Sequence, residues 1–416
     1  MSIRNKLKSN SWIIDDLSDY IESREGMNIV KDITDEDFNE LVRDYCDFKN
    51  NQKFNDANGK FIRFTDQDID ELIYLLNNDS ASWYIEGDTF NCFYRPLEKE
   101  VVDFETDIQK GLKFIEDGLS SYDLPKAKKI ILPKDLVWAK WAKKNDVCEE
   151  LIIPSYDTEK IECIFNYFIN LKKLYLGENV KKLPASCFER ATFNNNNSLK
   201  EVEFSDNCKL ETIPKECFRN QSIEKVKLSS SINKIDMSAF SDCTYLTTIN
   251  LKDVEIIGDE AFNYCESLQE IDLTNIESLG LNAFAQCADL KSVTFGSNIK
   301  EIPIKCFKEC ISLEKVTIPG NVNTIGKEAF YSCDSLSEVI LEEGVASIES
   351  NAFKFCQELT TIHLPKSLRN IGYNAFNNCA SLQTIFYNGT EEELYEIDSY
   401  FKRFIQANNI EVICKN

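Results

Sequence analysis

The sequence has a single histidine in 416 residues, no surplus of basic residues and no long apolar run. Each shortage closes off a class of function. One imidazole cannot build a multi-histidine metal site, and His363, the middle member of the triplet IHL, has no Ser or Cys partner that spacing would identify as a triad. None of HExxH, CxxC, GxxxxGK[ST] or GxGxxG occurs in a strand-to-helix context. Cys306 and Cys310 fall into repeating columns, which argues against zinc, and no cofactor is implied.

The formal net charge is -23. Residues 1–120 hold 14 Lys+Arg against 27 Asp+Glu, a net -13, so the remainder carries about -10. Phosphate neutralisation drives most nucleic-acid affinity, so a chain acidic in both parts is read as avoiding nucleic acid and anionic lipid, and basic protein partners fit better. At the amino terminus, MSIRNKLKSNSWIIDD offers only Trp12, Ile13 and Ile14 before Asp15, too little for a signal-peptide core. The longest uncharged run, 370–390, is rich in Asn and does not read as a membrane span. The default expectation is a cytoplasmic chain with reduced thiols, in which the sequons at Asn78, Asn196, Asn220 and Asn388 are incidental.

What the sequence does have is a repeat. Phe240, Phe262, Phe284, Phe307, Phe330, Phe353 and Phe376 follow one another at intervals of 22 or 23 residues. Cys243, Cys265, Cys287, Cys310, Cys333, Cys356 and Cys379 each stand three places later. Six residues beyond each cysteine comes an apolar–variable–apolar triplet. Looser triplets extend the series back to about residue 127, for twelve rungs in all. Period-two alternation turns the outer members inward and the middle one outward. A second apolar pair, such as Val322 and Ile325 or Val345 and Ile348, supplies an opposite wall. A unit this short cannot bury both walls alone, so neighbours must stack into a solenoid with a parallel ladder. A thiol repeated seven times is better explained as a small buried group than as a nucleophile, although neighbouring rungs lie close enough for oxidation to stay open.

The string I-G-x-x-A-F-x-x-C-x-S-L-x-x-I-x-L-P resembles the BspA-like, or Treponema-type, leucine-rich repeat. Good copies run over 232–387 and looser ones reach back to 127. The segment YNGTEEELYEI at 387–397 resembles the closing piece of such arrays, with Leu394 where an aromatic is common. The resemblance implies an α/β repeat solenoid of about twelve coils and a binding role, as in surface adhesins, rather than catalysis.

Three parts are expected: an acidic α/β domain at 1–120, the leucine-rich repeat solenoid at 121–390 and a cap at 391–416. In the first, helical patterns stand at 13–22, 35–46, 66–77 and 105–117, and hairpins at KFNDANGKFIRF and SWYIEGDTFNCFYR. Asp56, Asn58 and Gly59 match part of a calcium loop, but Phe54 and Thr65 stand where carboxylates are required. In the repeat, ATFNNNNS at 191–198 reads as a surface loop. In the cap, 391–409 reads as a helix and 410–413 as a closing strand.

The outward column of the triplets is the candidate protein-binding face: Ile131, Ile152, Tyr175, Glu203, Lys227, Asn250, Asp272, Thr294, Thr317, Ile340, His363 and Phe386. Its ends are apolar or aromatic, which suits partner binding or coverage by the flanking units equally. Two functions follow: a non-enzymatic protein-binding or adhesion protein using this face and the amino-terminal domain, or a structural component of a virion or protein lattice in which the array is a spacer and self-association is expected.

Overall fold

The computed structural model describes residues 35–51, 83–86, 89–93, 99–112, 123–134, 145–156, 168–188 and 198–414, with smaller pieces at 65–66, 69, 73, 97, 114–115 and 138–139. The expected helix at 13–22, the hairpin at 53–64, the calcium-like turn and all but Ser198 of the loop at 191–198 lie outside them. A helix occupies Asp35–Asn51, longer than the 35–46 expected.

The repeat builds a solenoid with two parallel ladders around one continuous core. Twelve strands from Lys129–Ile131 to Thr384–Tyr387 line the first wall and bound about eleven turns. The second wall is made of two-residue strands, among them Thr324–Ile325 paired with Ser347–Ile348. Val322, Ile325, Val345 and Ile348 are all buried on it, as the spacing predicts.

Inside, the marker rings form an unbroken pile. From Phe188 through Phe376 each ring lies 5.1–5.5 Å from the next, with interplanar angles from 0° to 28°. Phe188 and Phe218 extend the column two coils ahead of the seven markers. The cysteines do more than fill space. The Sγ of Cys243 donates to the carbonyl of Phe218 at 3.1 Å, and Cys265, Cys287, Cys310, Cys333, Cys356 and Cys379 repeat the contact to the phenylalanine one coil earlier. At Phe240, Phe262, Phe284, Phe307 and Phe353 the thiol is a second donor to a carbonyl that already accepts the N–H of the cysteine three residues on. Burial pushes the Cys148 and Cys243 thiols up to about 12. Of the fourteen cysteines described, thirteen are buried and Cys414 is half-buried. In reduced native protein, a disulfide reagent that titrates thiols at pH 8 should therefore leave these thirteen unmodified until denaturant is added, and rapid native reaction of the column would count against the packing.

The turn that carries each marker is built from backbone strain. Ala239, Ser241 and Cys243 donate to the carbonyls of Asp236, Ser238 and Phe240, giving three overlapping turns. Ser238 (φ 54°) and Asp242 (φ 62°) occupy left-handed positions where a type II turn normally wants glycine or asparagine. With that geometry the N–H groups of Ser238, Phe240 and Asp242 point along the solenoid axis, each donating at 2.8 Å to the next coil. The same two positions recur coil after coil, through Asn374 and Asn378. A side chain in the left-handed region costs roughly 1–2 kcal/mol, so Gln286→Gly (native φ 61°) should raise stability by about 0.5–1 kcal/mol after the entropy penalty of glycine. A lower denaturation midpoint for that variant would contradict this account.

The array begins earlier than residue 127. Val101–Asp103 pairs in parallel with Lys129–Ile131, and Phe114–Ile115 pairs with both Trp138–Ala139 and Thr89–Phe93. The hairpin of Trp83–Glu86 and Thr89–Phe93, antiparallel as expected, thereby adds to the edge of the second wall. The division drawn at 120 thus crosses hydrogen-bonded sheet and a shared core that includes Val102, Phe104, Leu112 and Ile115. The helix expected at 105–117 is absent: Phe104–Ile108 is a single π-type turn, capped by Asp103 accepting from Glu105 N, and Gly111 at φ 78° turns the chain back to a strand.

At the other end the segment 391–409 is two helices, Glu391–Ile397 and Ser399–Ala407. Asp398 is extended (φ -155°, ψ 125°) and its carboxylate accepts from Phe401 N at 2.6 Å, so it stops one helix and caps the next. Leu394, Phe401 and Ile405 are buried, and the Phe401 ring closes the pile against Phe376 at 5.6 Å. Glu411–Cys414 then adds a parallel strand beside Thr384–Tyr387, as expected of a closing strand.

Candidate binding face

All twelve residues of the outward column lie on the first wall and none is buried. Ile131, Ile152, Tyr175, Ile340, His363 and Phe386 are half-exposed, and the six between Glu203 and Thr317 are exposed. Cα register aligns Ile131, Ile152, Tyr175, Glu203 and Lys227 on successive strands, and likewise Thr317, Ile340, His363 and Phe386.

The ladder is not continuous. Its hydrogen-bonded strands fall into three panels, ending at Thr248–Ile249, Ser292–Phe295 and Glu411–Cys414. At the first break Asn250 leaves the strand. Its Oδ1 accepts from Leu228 N at 2.7 Å and its Nδ2 donates to Leu228 O at 3.2 Å, so the amide stands in for a missing strand partner. Asn250 is therefore tied into the wall rather than offered to a ligand.

The middle of the face is electrostatically satisfied. Lys227 Nζ lies 3.0 Å from Glu203 and 3.3 Å from Asp206, and these contacts raise its pKa, Glu203 foremost. Such exposed pairs add little stability, yet opposite charges on facing strands help to hold register.

A second outward column, two residues before the first along each strand, was missed because only triplet centres were followed. Lys129 pairs with Glu150 at 2.6 Å, Lys173 with Glu201 at 2.8 Å and Lys315 with Glu338 at 3.0 Å. Period-two alternation, applied one step further, would have found it. The hydrogen bond from Lys315 holds the Glu338 carboxyl below its usual range.

The carboxyl-terminal end differs. The His363 imidazole lies flat on the Phe386 ring, 4.6 Å between centroids and 10° between planes, and its Nε2 is 3.4 Å from Glu338 Oε1. The closing strand adds Ile413 in register with Phe386, a residue not anticipated, since the closing strand was not aligned with the column. Ile340, His363, Phe386 and Ile413 so form one strip across four adjacent strands. The cap extends this strip rather than covering it, because its helices seal the ring pile at Phe376 instead.

Among the described residues, no group of three or more His, Cys, Asp or Glu side chains could hold a metal ion, and no helix is long and apolar enough to cross a membrane.

The chain is similar to a leucine-rich cell surface protein from Faecalibacterium prausnitzii A2-165 (18% identity, TM-score 0.35, 77% of this chain and 98% of that one). It is also similar to a leucine-rich repeat protein from Bacteroides ovatus ATCC 8483 (19% identity, TM-score 0.41, 81% and 99%). A comparison with curated proteins gave no match. The family model described as "BspA type Leucine rich repeat region (6 copies)" matches residues 189–291 and 277–404, together just over half of the sequence. The chain belongs to the BspA-type leucine-rich repeat family.

Proposed function

We propose that this chain is a non-enzymatic protein-binding member of its family, which engages partners through the carboxyl-terminal end of its strand face, with the amino-terminal residues 1–120 as a second contact. BspA-type repeat proteins generally mediate protein interaction or surface adhesion. The observation that carries the reading is the strip Ile340, His363, Phe386 and Ile413. On an open sheet a contiguous apolar and aromatic row exposes surface that water disfavours, and aromatic anchors of this kind dominate binding energetics. The charge of -23 favours a basic partner.

The test is chemical cross-linking to identify a bound protein, followed by titration of that protein in purified form. Phe386→Ala and Ile340→Asp should each weaken binding by roughly 30-fold or more, the effect of losing about 2 kcal/mol at an anchor. Asp272→Asn, in the polar middle, should leave affinity within about twofold, as expected of a peripheral contact. Equal affinity of all three variants would remove the strip from the interface. The second reading, a rigid spacer in a larger assembly, draws on the unbroken ring pile and the coil-to-coil backbone bonds. It requires self-association in light scattering, and a monomer at all concentrations would sink it.

A further inference from the structure

The position before each marker ring is alanine in six coils, at 239, 261, 283, 329, 352 and 375, and cysteine at 187, 217 and 306. The column neighbours of Cys306 are Ala283 and Ala329. Cys187 and Cys217, in contrast, are consecutive, and their sulfurs lie 3.0 Å apart, about an ångström beyond the ~2.05 Å of a covalent S–S bond. Both side chains are fully buried. Their following rings stack at 5.3 Å, and Ser186 N donates to Lys215 O at 2.9 Å, so the backbone on either side is held at the solenoid spacing of roughly 5 Å. That spacing lies within the Cα separation a disulfide spans. Cys187 Sγ also lies 3.6 Å from Cys217 O, whereas the thiols three places after the markers each donate to a phenylalanine carbonyl, with Cys356 additionally in contact with the thiols of Cys333 and Cys379.

We propose that Cys187 and Cys217 are a cross-linking pair that closes into an intrachain disulfide when the chain folds in an oxidising environment, stapling two neighbouring coils. The oxidant is a low-molecular-mass disulfide. One cysteine thiolate attacks a sulfur of that reagent, breaking its S–S bond and releasing one thiol. The second thiolate attacks the protein sulfur of the mixed disulfide, forming the Cys187–Cys217 bond and releasing the second thiol. Two protein thiols are oxidised, one reagent disulfide is reduced, and the two protons leave the protein for the released thiolates. Because the finished coil shuts off both sulfurs, exchange takes place while the coils assemble. The bond closes a long loop and restricts the unfolded chain, so it stabilises the array.

The test is to refold the full chain from denaturant in a glutathione redox buffer, alkylate the remaining thiols and map the peptides by mass spectrometry. The expected result is a linked pair containing Cys187 and Cys217, about 2 Da lighter than its reduced components, with a thermal midpoint above that of the reduced protein. Cys217→Ala and Cys187→Ala supply the residue that six other coils carry, so the variants should fold with an unchanged reduced midpoint and lose both effects. Recovery of both cysteines in alkylated form, or links spread equally over Cys310, Cys333 and Cys356, would overturn the assignment. A linked pair with no rise in midpoint would overturn the stapling role.

Discussion

Phe284→Ala should destabilise the protein by about 3–5 kcal/mol, the usual cost of removing a buried aromatic side chain. Its ring is fully buried and touches a ring on either side, at 5.2 Å to Phe262 and 5.5 Å to Phe307. Removal therefore costs two stacking contacts as well as the transfer of the ring. Those contacts belong to different coils, and in a solenoid the interfaces between neighbours are what join the units into one cooperative transition. Urea unfolding of the variant should show a lower midpoint together with a smaller slope, as the two halves begin to unfold separately. A loss below about 1 kcal/mol with an unchanged slope would mean that the pile does not act as the core.

Phe401→Ala should cost a comparable ~3 kcal/mol or more, but in a different place. Phe401 belongs to the cap and is the ring on which the pile ends, against Phe376. Without it the last coil presents Phe376 and Ile371 to water. Hydrogen exchange should therefore quicken for amides of the coils after residue 350 and in Glu411–Cys414, while those at 257–310 keep their protection, since opening energies in such an array are local. Uniform acceleration along the whole chain would show the cap to be coupled globally.

The interior of the repeat was legible because it is made of few residue types at a fixed interval. Each coil needs one ring, one small residue and one thiol at the same depth, and burial leaves little room for substitutes. The walls were legible for the same reason, and all twelve outward centres face away from the core. What escaped detection depends on single polar atoms or on backbone shape. The amide of Asn250 breaks the ladder by bonding to Leu228, yet it reads as an ordinary polar strand centre. The strand Val101–Asp103 opens an apolar–variable–apolar triplet, Val102–Asp103–Phe104, in register with the one at 130–132, and it was missed because the segment that follows was read as a helix. Asp398 divides the carboxyl-terminal helix although no glycine or proline marks it; the Asp-Ser step before an apolar run was the available cap signal. The left-handed positions carry serine, acids, lysine and aromatics as well as asparagine, and therefore leave no compositional trace. The strip at the carboxyl-terminal end was half visible, as Ile340, His363 and Phe386, and was completed only when the closing strand brought Ile413 alongside.

The left-handed turns have one more result. Ser238, Glu260, Asn282, Lys305, Glu328, Asn351 and Asn374 share a single backbone posture, as do Asp242, Tyr264, Gln286, Glu309, Ser332, Phe355 and Asn378. From Ser238 to Phe355 their main chains donate to the adjoining coil, and several of their side chains add contacts between coils, as Lys305 does to Glu328 at 3.8 Å and Phe355 to the Tyr331 ring at 5.3 Å. Within this one molecule the same address has thus already been filled by acid, base, amide, hydroxyl and aromatic ring with no change of outline. The turn-bearing surface can be repainted residue by residue while the scaffold beneath keeps its form.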